Sequence, residues 1–142
     1  MRRNVDVSVV LVVLMAATVL LQSNRVEAEA IKPVKVDAKC PKKDDGKFTL
    51  SVDPFLVEVA PGDGVEWKLY TDNQKNEDIE ISAKDSENWL YVNATVKGKK
   101  QVIMTQMVDA SPNKIYDYKI TVYCGEDSEP VVLDPRIRVG GE

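Results

Sequence analysis

Two cysteines, two methionines beyond residue 30 and no histidine bound the chemistry open to this chain. Without an imidazole there is no His-based triad, no His general base, no zinc site of the His type and no blue copper site with two His ligands. The serine hydroxyls have no imidazole to activate them. The thioethers of Met104 and Met107 could hold Cu(I). Three residues apart on a strand, however, they point to opposite faces, so packing accounts for them better. The acidic pairs Asp44-Asp45 and Glu77-Asp78 and the run Glu126-Asp127-Ser128-Glu129 could bind Ca²⁺ if several converged. None has EF-hand spacing, and solvated loops are their ordinary explanation. Carboxylate pairs of the kind a glycosidase uses have no cleft signature around them. No catalytic, cofactor-binding or metal-ligating residue is assigned, and the chain reads as a non-enzyme.

Cys40 and Cys124 remain, and the N-terminus sets their redox context. Arg2 and Arg3 precede fifteen residues, 7–21, interrupted only by Ser8 and Thr18. A membrane-crossing helix needs about 20 apolar residues, so this run suits a signal h-region better than an anchor. A polar stretch follows. Ala28 and Ala30 then form an A-x-A pattern that places cleavage after Ala30, with Ala28 as second choice. The Asn4-Val5-Asp6 context does not fit twin-arginine export. Cys40 lies nineteen residues beyond Leu21, too far for lipidation, and an uncleaved anchor is the remaining alternative. The expected location is the periplasm or extracellular space, with no stable membrane insertion after cleavage. In such a compartment the two cysteines are expected to form a disulfide that closes a loop of 84 steps. The alternative is two separate thiols, one of which binds a metal or reacts.

The chain carries 142 residues and a net charge of −4, and removing residues 1–30 takes away equal numbers of acidic and basic groups. One domain, 31–142, fits that length. Negative charge without a basic tract excludes nucleic acid as the main partner. A protein partner, engaged through a sheet face, loops or an edge strand, is the expectation.

Period-two alternation dominates residues 47–139. Val65, Trp67 and Leu69 share one face of a strand, with Glu66, Lys68 and Tyr70 on the other; Ile79 and Ile81 repeat the pattern, and residues 115–123 extend it furthest. Strands are also expected at 47–52, 55–60, 89–96, 101–107, 131–133 and 136–139. Pro61-Gly62-Asp63-Gly64 is a turn whose glycine supplies positive φ. Residues 43–46, 72–73, 97–98, 111–113 and 125–128 read as loops, with one short helical turn allowed around 83–87. Seven or eight strands at this spacing make a β-sandwich. Trp67 is expected in the core, and Trp89 either in the core or on the rim of an interface. Asn93-Ala94-Thr95 is a sequon. Arg136 and Arg138 alternate with Ile137 and Val139, as in an edge strand that pairs with another chain or is guarded by its arginines.

Two stretches carry a family resemblance. From Phe55 to Trp67 an apolar strand, a Gly-Asp turn and a Val-Glu-Trp strand follow one another. Tyr116-Asp117-Tyr118 leads to Tyr123-Cys124, with 131–139 as a final strand. Over 48–139 this resembles the cupredoxin fold family. The resemblance implies an all-β, seven- to eight-stranded Greek-key sandwich. Copper-binding members hold the metal with two His, a Cys and usually a Met. Only Cys124 falls at such a ligand position. The first His is expected within 70–77, and the second where Gly125-Glu126-Asp127-Ser128-Glu129 stands; neither segment contains one. The expected protein is therefore an exported, disulfide-bonded, cupredoxin-like binding or accessory module without a type 1 copper site or any cofactor. A Cu(I)-handling protein using Cys and Met, or a structural subunit of an extracellular assembly, is the alternative.

Overall fold

The computed structural model describes residues 30–40, 48–72, 77–125 and 129–140. The signal segment up to Glu29, the acidic positions 44–45 and 126–128, and the loop at 43–46 lie outside the described residues. The alternating segments become ten strands: β1 Ile31–Lys39, β2 Thr49–Asp53, β3 Leu56–Val59, β4 Gly64–Thr71, β5 Asp78–Ala83, β6 Thr95–Lys99, β7 Gln101–Met104, β8 Ile115–Tyr123, β9 Val131–Leu133 and β10 Arg136–Val139. They form two mixed sheets, one ordered β2-β1-β4-β7 and the other β3-β10-β8-β5-β6, with β9 also on β8. β1 runs parallel to β4 and β3 parallel to β10, while the remaining pairs are antiparallel. The result is an all-β sandwich.

Inward positions follow the alternation. Val34, Val36, Val65 and Trp67 from the first sheet face Ile79, Ile81, Tyr118, Ile120 and Ile137 from the second, all essentially without solvent exposure. Trp67 Nε1 donates to the Tyr118 hydroxyl at 3.1 Å across the sandwich. Burial pushes the Tyr118 phenol well above its ordinary ionisation range. The expected glycine turn is present, with Gly62 at φ 90. It is closed by Asp63 N–H to Ala60 O at 3.0 Å and Ala60 N–H to the Asp63 carboxylate at 2.9 Å.

The structure departs from the sequence expectation in several places. There are ten strands rather than seven or eight: β1 precedes Cys40 and occupies an interior position between β2 and β4, and residues 97–98, expected as a loop, lie inside β6. Among the described residues there is no helix. Where a helical turn was expected, the Asp85 carboxylate accepts the backbone N–H groups of Glu87 (3.1 Å) and Asn88 (3.3 Å), folding the chain into an Asx-type turn. Residues 89–94 are not strand. Trp89, Leu90 and Tyr91 are consecutive and all buried, so this loop plugs one end of the core instead of presenting one face to it. Finally, β10 is no edge: it pairs with β3 on one side and β8 on the other, and Arg138 forms an ion pair with Glu58.

At the plugged end, Asp109 gathers Lys114, the Ser111 hydroxyl and the Ser111 backbone N–H. The Lys114 ammonium first, then the Ser111 hydroxyl, holds the Asp109 carboxyl well below the usual carboxylate range. Its stabilising contribution is therefore present above the unfolded value of about 4 and is lost as pH falls through the depressed one. Thermal melts should show a midpoint that drops on acidification below that value, with a shallower drop in Asp109→Asn. Equal slopes would mean that the cluster contributes nothing to acid sensitivity.

Candidate functional site

Three strands deliver chemistry-bearing side chains to the end of the core opposite the plug. On β1 the inward series Val34, Val36, Ala38 continues to Cys40. On β8 the series Tyr118, Ile120, Val122 continues to Cys124. Asp78 pairs with Tyr123, so Glu77 falls level with Cys124, in phase with the inward Ile79 and Ile81. Cys40 and Cys124 are joined in a disulfide with Cα atoms 5.5 Å apart, and no cysteine is free. Of the two states open from the sequence, the structure has the bonded one. The bridge ties a strand of one sheet to a strand of the other at their common end. With both sulfurs bonded, neither is a thiolate able to bind a metal or attack an electrophile.

Glu77, read in the sequence as half of a solvated acidic pair, is buried instead. It is 3 % exposed, and its Oε2 has no hydrogen-bond partner. Its register with Ile79 and Ile81 was the available signal, since parity alone turns it inward. A buried acceptor without a donor costs free energy that a surface carboxylate does not. Its neighbour Asp78 turns outward to Lys97 at 3.4 Å. The pair therefore splits across the sheet and does not converge on one cation. Among the described residues no three Asp, Glu or Cys side chains come together in a way that could hold a metal ion.

The methionines lie elsewhere. Met104 pairs with Val65 near the start of β4, whereas Ala38, two residues before Cys40, pairs with Thr71 at its end. Six strand residues separate the two levels, about 20 Å at the usual rise. The expectation that Met104 and Met107 face opposite ways fails because β7 ends at Met104. The chain then bends, so both side chains pack on the core, and the Met107 sulfur accepts the Gly62 N–H at 3.2 Å. Trp67 and Trp89 are both core residues. Trp89 is 4 % exposed and its indole N–H donates to Asn93 O at 3.0 Å, which removes it from any interface rim. Tyr91, unremarked in the sequence, is buried with its hydroxyl on Asp63 O at 3.0 Å, and burial raises its ionisation above the ordinary phenol range. Asn93 of the sequon is exposed.

No protein-family model matches the sequence, and no curated protein matches it significantly.

Replacing both cysteines by serine should lower stability in urea by up to about 4–5 kcal/mol, the chain-entropy figure for a loop this long. Glu77→Met removes the unpaired acceptor at similar volume and should raise stability by about 1–3 kcal/mol. A loss of stability there would instead reveal that the carboxylate is held by partners.

Proposed function

We propose that this chain is an exported, non-enzymatic binding or accessory module of the cupredoxin-like, Greek-key type, without a type 1 copper site. The single observation that carries the reading is the state of Cys124. It stands where the resemblance calls for a copper thiolate, and its sulfur is instead bonded to Cys40. Beside it, within the segment where the first imidazole is expected, a buried carboxylate, Glu77, occupies the inward position. Cystine sulfur and a single carboxylate do not make the soft-plus-imidazole set that such copper sites use.

Export is supported by the signal-like segment over 1–30, by β1 beginning at Ile31 directly after the preferred cleavage point, and by a disulfide that suits an oxidising space. Among the described residues, no helix is long and apolar enough to cross a membrane. With no histidine in the chain, no imidazole activates a serine, which favours recognition over catalysis. The partner class is protein, not nucleic acid. Its contact surface is a sheet face, the loops or an edge strand. Location is the periplasm or the extracellular space.

A free-thiol count and intact mass on the exported, denatured, unreduced protein test this reading, together with a Cu(I) titration followed by thermal melting. The expected result is no free thiol, the mass of 31–142 or 29–142 less two protons, and a melting point insensitive to copper. Two free thiols and a copper-dependent melting shift would overturn it in favour of a Cu(I)-handling protein.

A further inference from the structure

An open sandwich ends each sheet in two edge strands whose outward N–H and C=O groups can take on another strand. Here the edges are β2 and β7 in one sheet and β3 and β6 in the other, with the three-residue β9 a further short edge on β8. All but β7 are guarded in the usual ways, β9 by Pro130 before it and Asp134-Pro135 after it. β2 ends in Asp53 and runs into Pro54. β3 is bracketed by Pro54 and Pro61 and carries Glu58, paired with Arg138. β6 reads Thr-Val-Lys-Gly-Lys and is followed by Lys100. Its Gly98 is pressed against the start of β7, where a Cβ would lie 2.1 Å from Gln101 O. β7 has no such guard: residues 101–105 contain neither a charge nor a proline, and the chain is taken up by the 90–92 loop only from Gln106, whose O accepts the Val92 N–H at 2.9 Å.

The hydrogen-bond phase of β7 is set by its first contact. Leu69 N–H donates to Lys100 O at 2.8 Å, so Leu69 and Lys100 form a hydrogen-bonded pair. In an antiparallel ladder such pairs alternate, which makes Trp67–Val102 and Val65–Met104 hydrogen-bonded and leaves Glu66–Ile103 between them. Ile103 therefore turns its backbone N–H and C=O away from β4, toward the open side. Its side chain stands 44 % exposed on the outer face. Beside it a shallow cleft runs between Val92 and Thr105, with Val92 itself 55 % exposed.

We propose that β7 is a self-association edge, on which a second copy of this chain lays its own β7 antiparallel about a two-fold axis through Ile103. Such an axis sets Ile103 against Ile103, Val102 against Met104 and Gln101 against Thr105. Every pair is uncharged, inward side chains meet inward ones, and the two Ile103 residues exchange both backbone hydrogen bonds. The same operation on β6 about its central residue would set Lys97 against Lys97. Copies of a chain with a net charge of −4 repel one another in general, so a charge-free strip is where they can approach. The interface is isologous and closes at two copies, fusing two four-stranded sheets into one of eight. It gives the module reading a partner of its own kind. It is also tested apart from that reading, because thiol count and copper response do not depend on the oligomeric state.

Sedimentation velocity of the natively processed protein across the micromolar range should show a mass rising from one chain to two. Ile103→Lys, which brings like charges together on the axis, should hold the mass at one chain. Ile103→Pro should do the same while leaving far-ultraviolet dichroism intact, since the N–H it deletes serves no bond within the protomer and proline is tolerated on an edge. Lys97→Glu on the other sheet's edge should dimerise like the natural chain. A natural chain that stays monomeric throughout, or a dimer that Ile103→Lys leaves intact, overturns the proposal. Should the proline variant misfold, the lysine variant, altered only at an exposed side chain, still decides.

Discussion

The contact between Trp67 and Tyr118 sets the terms for the rest of the sandwich. Each belongs to a different sheet, their rings meet edge to face with centroids 5.6 Å apart, and the indole N–H is satisfied by the phenol oxygen. A polar group at the centre of a core is tolerable only when paired, so this bond fixes which residues of β4 and β8 must lie opposite one another. Trp89 packs against the same tyrosine at 6.2 Å and against Tyr91 and Tyr116. That brings the loop over residues 89–94 into the core. The aromatic cluster thus does at one end of the interior what the disulfide does at the other: it holds the two sheets in a single relative position.

The division between the two ends gives the functional reading its shape. The cystine end carries a covalent bond between the sheets and a buried carboxylate. What stays accessible is backbone at sheet edges, together with outer faces that carry several ion pairs. Lys35 lies against Asp37 at 2.9 Å and Lys68 against Glu66 at 3.2 Å. Surface pairs of this kind contribute little to stability.

Much of this was legible in the sequence, and the failures have physical causes. The inward series of β4, β5 and β8 could be read by parity because a half-buried strand repeats every two residues. The disulfide followed from compartment and count. β1 was missed because Pro33 and three lysines mask Val34, Val36 and Ala38, and because a strand flanked on both sides looks the same as an exposed tail until its partners are known. Trp89, Leu90 and Tyr91 imitate a strand in composition, but three consecutive buried side chains belong to a loop whose backbone turns with them. The guarded look of Arg136 and Arg138 suggested an edge. Their true role is to flank an interior strand, and strand order is a long-range property that no local pattern encodes. The buried state of Glu77 was within reach of parity, but a single carboxylate ahead of a strand ordinarily sits in water.

The position of β10 carries a consequence for the order in which the molecule can be made. β3 has no neighbour in its sheet other than β10, and β10 is the last strand of the chain. β3 therefore stays unpaired in its sheet until residues 136–139 are brought back to it across the intervening strands. Pairings of such long sequence separation form slowly. The other sheet has no such wait, since β2, β1, β4 and β7 all lie within residues 31–104. The β3–β10 pairing and the Cys40–Cys124 bond both join an early segment to a late one, so the second sheet is complete and the two sheets are locked together only when those distant parts of the chain meet.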